Sequence, residues 1–312
     1  MNRSNPTHRH LNASTKDAAK RIAVSFALTL VFLVGEAIAG YIANSLALLT
    51  DAAHNLTDVL ALGLSWYALR LTSLPPNHQK TYGYHRAGIL VALINSTSLV
   101  LISIGIFYEA YQRLASPPAV RADLLIGVGI LAFVVNLITA WLVHRGSDKD
   151  LNLRSAYVHL MGDVISTLGA VVAGGIILLT QWYWVDILIS LLIGVLILWN
   201  AVRILRETLN ILLESTPADI IVDDIVADIM SVGGVLGVHD LHIWSISKNL
   251  RMLSAHIVTD DLPLSAGSQI QSDVSHMIRR KYGIYHTTLQ LECGECDPIM
   301  IHCDLNGLKR SP

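Results

Sequence analysis

Charge is scarce in this chain. Asp, Glu, Lys and Arg make up 15% of its 312 residues, where a soluble domain carries about 25%. That shortage excludes a protein exposed to water on every side. Basic residues are in no excess: 22 Lys and Arg against 24 Asp and Glu leave a net charge of −2, with a pI near 6.7. No basic face is therefore available for nucleic acid. Three cysteines cannot build a disulfide framework. No His-Glu-x-x-His string occurs, so the helix that carries zinc in many hydrolases is missing. The first twenty residues hold Arg3, His8, Arg9, His10, Lys16 and Lys20 without an apolar run, and no cleavable signal is expected there.

Apolar sequence is what the chain has in quantity, at 53% hydrophobic residues and a mean hydropathy of +0.51. Six stretches stand out, roughly 22–43, 46–70, 87–113, 123–144, 155–180 and 183–204. Each reaches the ~20 residues that a helix needs to cross a bilayer. The breaks carry turn chemistry, such as Asn44-Ser45, Pro75-Pro76-Asn77 and Gly146-Ser147-Asp148. Lys and Arg crowd the amino-terminal arm, the second loop (Arg70, Lys80, Arg86) and the fourth (Arg145, Lys149, Arg154). The other three loops share only Arg113 and Arg121. The positive-inside rule then predicts both termini in the cytoplasm of a multi-pass protein embedded in membrane lipid.

From about Pro217 the composition turns soluble. Asp219 to Met230 and Ser268 to Tyr282 read as helices. Val238 to Ile246, Met252 to Thr259 and His286 to Glu292 read as strands. The expected fold is an all-α six-helix transmembrane bundle plus a C-terminal cytoplasmic α+β domain, an αββαβ open-faced sandwich. The expected boundaries are an arm over 1–20, a transport domain over 21–214, the cytoplasmic domain over 215–297 and a tail over 298–312.

Two spans carry the same chemistry. His54 and Asp58 lie four residues apart in span 2, and His159 and Asp163 do so in span 5. That spacing stacks both side chains on one helical face. Two such faces offer two imidazoles and two carboxylates, a tetrahedral set for Zn²⁺. The alternative is hydrogen-bonded polar residues in packed helices, but ionisable groups inside a bilayer are costly and mark function. Charge counting favours exchange against protons. Zn²⁺ on two carboxylates and two neutral imidazoles sums to zero, and so do the same four groups with both histidines protonated. A neutral-for-neutral swap avoids an uncompensated charge in a low-dielectric site. Two incoming protons also cancel the about 4.6 kcal/mol of moving Zn²⁺ against 100 mV. Asp51, one turn before His54, is a candidate for the proton path or for a helix-start cap, and Glu36 could line the same route.

The chain resembles the cation diffusion facilitator family, and within it the bacterial zinc exporters. The resemblance rests on Ser45-Leu-Ala-Leu-Leu-Thr-Asp51-Ala-Ala-His54, on Tyr82-Gly83-Tyr84, on Gly237-Val-His239-Asp240-Leu-His242-Ile-Trp244 and on the whole layout. It implies a homodimer in the bacterial inner membrane that exports cytoplasmic zinc against protons through His54, Asp58, His159 and Asp163. It implies a regulatory zinc at His239 and His256, with Glu292 near a third position, although Gln290 and Ser268 stand where other members have His. Cys293-x2-Cys296 is half of a zinc motif. The resemblance implies that it is completed by the arm of a neighbouring subunit, here His8 and His10. His78 and His85 match a loop metal site only in part. Arg86 and Glu214 match a structural ion pair. Other readings left open are a passive zinc channel, a sensor, an intramembrane zinc enzyme, and an exporter of wider range that also takes Cd²⁺ or Co²⁺.

Overall fold

A computed structural model describes residues 30–147, 151–248 and 250–293, without the side chains of a few helical residues, His159 among them. Six helices come first: α1 (Leu30–Ala43), α2 (Leu46–Thr72), α3 (Ala87–Leu114), α4 (Ala122–Ser147), α5 (Leu151–Thr180) and α6 (Trp184–Leu212). By length and composition four regions can cross a membrane among the described residues: α3, Ala122–Trp141, Leu160–Thr180 and α6. Helix α2 has 27 residues, which is long enough, but Asp51, His54 and Asp58 interrupt its apolar run.

The helix ends follow from local chemistry. At the end of α1, Ser45 N donates to Gly40 O and Asn44 N to Tyr41 O, with Asn44 at φ 57°. This pair of bonds closes a helix with a left-handed residue, a conformation that Asn tolerates. Glu214 (φ 58°) closes α6 in the same way, with Ser215 N donating to Asn210 O. The sequence reading ended span 6 near residue 204, yet the helix continues to Leu212. Nothing between Ala201 and Leu212 breaks a helix, and loss of apolarity alone does not end one.

The chain divides into two compact units. Among the described residues, the first takes 30–64 and 94–203, and the second takes 65–93 and 204–293. In the first, Ala43, Ala47, Leu48, Leu125, Ala173 and Ile177 pack into one buried cluster. Small residues let the helices approach closely. A Cβ added at Gly174 of α5 would stand 2.6 Å from Ile126 Cγ1 of α4. Large apolar side chains such as Val31, Leu62, Leu101 and Trp199 point outward, as a lipid-facing surface requires.

The second unit holds α7 (Val222–Met230), β1 (Gly237–Ser247), β2 (Leu250–Val258), α8 (Leu264–Tyr282) and β3 (His286–Glu292). The sheet order is β1-β2-β3, with β1 antiparallel and β3 parallel to β2. Ile225 and Ile229 of α7 and Ile270, Val274 and Ile278 of α8 cover one sheet face, against Leu241, Ile243, Leu253, Ile257 and Leu289. Helix α7 starts three residues later than its sequence pattern predicted, because Asp219 is engaged elsewhere. Its two oxygens accept from Arg251 Nη2 at 2.9 and 2.8 Å.

Candidate metal sites

Helices α2 and α5 bring three of the four intramembrane candidates together. His54 Nε2 lies 3.6 Å from Asp58 Oδ2 and 3.6 Å from Asp163 Oδ1. One imidazole nitrogen thus faces a carboxylate on its own helix and one on the neighbouring helix, with His54 and Asp163 both mostly buried. His159 lies one turn before Asp163 in α5, and its side chain lies outside the described residues. Helix spacing gives the His54–Asp58 pair, and the approach of α5 to α2 at His54 brings Asp163 to it.

Asp51 is not a helix-start cap, because α2 begins five residues earlier and the side chain is buried. Its Oδ1 accepts from Ser166 Oγ of α5 at 3.0 Å. Asn55 Nδ2 donates to Asp51 Oδ2 at 3.2 Å and to Glu36 Oε2 of α1 at 3.4 Å. Two buried carboxylates therefore share one amide. Ser45 Oγ caps the helix start by accepting from Leu48 N at 3.3 Å, and a second residue serves it that the sequence does not reveal. Asp186 of α6 accepts from Ser45 Oγ and Leu46 N, each at 2.6 Å, and from Ala47 N at 3.3 Å.

In the second unit, His239, His256 and Glu292 place one ligand atom each within 4.8 Å of one another, the one such group of three among the described residues. His239 Nε2 is 2.8 Å from Glu292 Oε2, and His256 Nδ1 is 2.9 Å from Glu292 Oε1. Two imidazoles and a carboxylate at these separations fit a divalent zinc ion with a fourth position left open. Gln290 makes no claim on that position in this arrangement; its amide donates to Glu292 Oε1 at 2.8 Å. The three ligands share a face because strand pairing sets His239 opposite His256, and His256 beside Gln290 with Glu292 two residues on.

The other candidates are apart from this group. His78 and His85 sit around the tight Asn77–Lys80 turn, His78 exposed. Cys293 follows β3 as an exposed free thiol. Cys296, His8 and His10 lie outside the described residues. Arg86 Nη2 donates to Glu214 Oε1 at 2.8 Å, with both side chains exposed.

Long apolar helices with imidazole and carboxylate groups between them, and a small αββαβ unit carrying its own such group, define a multi-pass membrane protein that handles a cation. Residues 22–213 match the cation efflux transmembrane domain and residues 217–293 match the cation efflux protein cytoplasmic domain. The chain belongs to the cation efflux family, as its motifs implied. It is 39% identical over 288 residues to a cadmium, cobalt and zinc/H(+)-K(+) antiporter of Bacillus subtilis, covering 91% of each chain. It is 34% identical to the metal cation efflux system protein CzcD of Cupriavidus metallidurans, over 93% of this chain and 91% of that one. To the zinc transporter ZitB of Pectobacterium atrosepticum it is also 34% identical, over 96% and 92%.

Proposed function

We propose that this protein exports zinc from the cytoplasm by Zn²⁺/H⁺ antiport. The cargo is held by His54, Asp58, His159 and Asp163, and the protein works as a homodimer in the bacterial inner membrane with both termini cytoplasmic. The observation that carries this reading is the convergence of His54 Nε2 on Asp58 and Asp163 from two helices. Carboxylate oxygens and imidazole nitrogens in a tetrahedral set suit Zn²⁺, while cadmium and cobalt, named for the Bacillus relative, can use the same donors. A closed four-ligand site suits alternating access, since a channel needs weak binding at many stations.

Proton coupling follows from charge. Zinc leaves a site of two carboxylates, and two protons restore neutrality without exposing a bare charge to the membrane interior. Asp51 and Glu36, bridged by Asn55, lie along the proton path. His239, His256 and Glu292 hold a regulatory zinc in a cytoplasmic domain beginning near residue 215, and that domain carries the dimer contact. Cys293 and Cys296 with a neighbour's His8 and His10 form a further candidate site. The test is zinc-driven proton movement out of proteoliposomes when zinc is added outside. Wild-type protein should alkalinise the lumen on that zinc step, and Asp163→Ala should fall to the level of empty vesicles. Undiminished flux in that variant would remove the transport site. A current at saturating zinc would rule out two protons per ion.

A further inference from the structure

The soluble unit carries a longer string of polar groups than the three ligands. His239, Glu292, His256, Asp240 and His242 follow one another in space, imidazole and carboxylate alternating. Past the 2.8 and 2.9 Å contacts of Glu292, His256 Nε2 lies 3.5 Å from Asp240 Oδ2, and Asp240 Oδ1 lies 3.0 Å from His242 Nε2. His256 therefore uses both ring nitrogens: Nδ1 faces the candidate metal site and Nε2 faces Asp240.

Asp240 reaches this place through a backbone irregularity. On β1, His239 pairs with His256 and His242 pairs with Ser254. Two residues, Asp240 and Leu241, thus stand against the single Ala255, which is a β-bulge. Side chains three apart on an unbroken strand face opposite ways. The bulge rephases β1, so that His239 and His242 share the open face while Leu241 and Ile243 stay in the core, each no more than 5% exposed. Asp240 absorbs the extra residue at φ 48°. Asp is one of the few non-glycine residues that accept a left-handed backbone, and such a conformation persists where the surroundings hold it.

We infer that Asp240 is a positioning residue for the cytoplasmic metal site. This rests on the reading of His239, His256 and Glu292 as that site. A neutral imidazole has one N–H, so His256 can ligate through Nδ1 only when the hydrogen is on Nε2. Asp240, acceptor-only as a carboxylate, favours that tautomer and fixes the ring plane, and His242 anchors Asp240 from its other side. A metal-ligating histidine whose second nitrogen donates to a carboxylate binds more tightly and in one orientation, and losing such a partner costs about 10–100-fold in metal affinity.

The experiment uses the full chain in detergent, with His54→Ala and Asp163→Ala present so that the membrane site is silent. Co²⁺ is the probe, read by its visible ligand-field absorption and by competition with a chelator. Two variants remove the carboxylate while permitting the positive φ: Asp240→Asn and Asp240→Gly. Both should bind Co²⁺ about 10–100-fold more weakly, with an altered ligand-field band and an unchanged melting temperature without metal. His239→Ala and Glu292→Ala should abolish the band. If those two abolish it while both Asp240 variants bind as tightly as the parent, the inference is overturned and the metal site stands. If His239→Ala and Glu292→Ala leave the band intact, the metal site itself is wrong and the role of Asp240 falls with it.

Discussion

The hydroxyl of Ser45 donates to the carboxylate of Asp186 across 141 residues of chain, at 2.6 Å. With Leu46 N and Ala47 N on the same carboxylate, α6 adds a second acceptor to the start of α2. A capping acceptor ordinarily comes from the residue just before the helix, and Ser45 Oγ fills that role by accepting from Leu48 N at 3.3 Å. Asp186 holds Ser45 and the next two backbone donors from another helix, at the start of the element that carries His54 and Asp58.

Asp186→Ala should therefore destabilise the protein by about 1–3 kcal/mol, since it strands two buried N–H groups and a buried hydroxyl. Ser45→Ala should cost less, about 1 kcal/mol, because Leu48 N alone loses its acceptor while Leu46 N and Ala47 N keep theirs. Chemical or thermal unfolding in detergent reads both. Equal effects from the two variants would place the cap elsewhere.

In the proposed transport site, His54→Asp would turn two imidazoles and two carboxylates into one and three. Carboxylates are harder ligands and bind larger or oxygen-preferring ions better. Transport of cadmium and manganese should rise relative to zinc, several-fold. Cation ratios in vesicles decide this: ratios equal to those of the wild type would take His54 out of the ligand set.

The segment from Pro217 onward is short, and a domain of that size buries a small core. Isolated, it should dimerise and melt higher with zinc, by about 2.7 kcal/mol at a hundredfold excess over the dissociation constant. His239→Ala should cancel the zinc effect. A monomeric mass with a zinc-independent melt would refute the proposed dimer contact and its metal together.

Lys281 and Tyr282 at the end of α8 both reach Asp228 of α7. Their hydrogen bonds, that of Lys281 first, hold the Asp228 carboxyl below the usual carboxylate range, and Asp228 in turn raises Lys281. Because Asp228 is lowered in the folded state, its contribution is present above about pH 4 and lost as pH falls through the folded value. Lys281 is raised, so its share is full below about pH 10 and lost only above that. Melting curves of the whole protein should thus show a shallower acid decline in Asp228→Asn than in wild type, with no difference in slope between pH 6 and 8.

The sequence made some of these relationships readable and hid others for definable reasons. The nearness of His54 and Asp58 was legible because a four-residue spacing has one meaning on a helix; the side chain of His159 lies outside the described residues. The strands of the soluble unit were legible because Ile, Val and Leu alternate with polar residues, and β3 appears at His286–Glu292 as read. Asp186 was not legible, since a cap delivered from 141 residues away leaves no local pattern. Nor was the company of His242. Simple alternation pairs it with Trp244, and only the bulge at Asp240 reveals that His239 shares its face. Asp219 looked like the start of α7 because an acid before an apolar run is a start signal. Arg251, 32 residues on, takes it instead.

The corner between α1 and α2 is tied at more points than the cap alone. Arg113 of α3 donates to Asn44 O at 2.9 Å, and Arg121 N, just before α4, donates to Ala43 O at 2.9 Å. Bonds from α3, from the start of α4 and from α6 thus fall on three consecutive residues, Ala43, Asn44 and Ser45, between α1 and α2, and α2 extends from that fixed point at Leu46 as a lever would. At 1.5 Å of rise per residue, His54 sits roughly 12 Å from that fulcrum and Leu64 roughly 27 Å. A swing of about 10° would carry Leu64 some ~5 Å while shifting His54 by only ~2 Å. In the proposed transport site His54 lies on the short arm, so a modest change in coordination distance there would be geared to a wide opening at the far end of the helix.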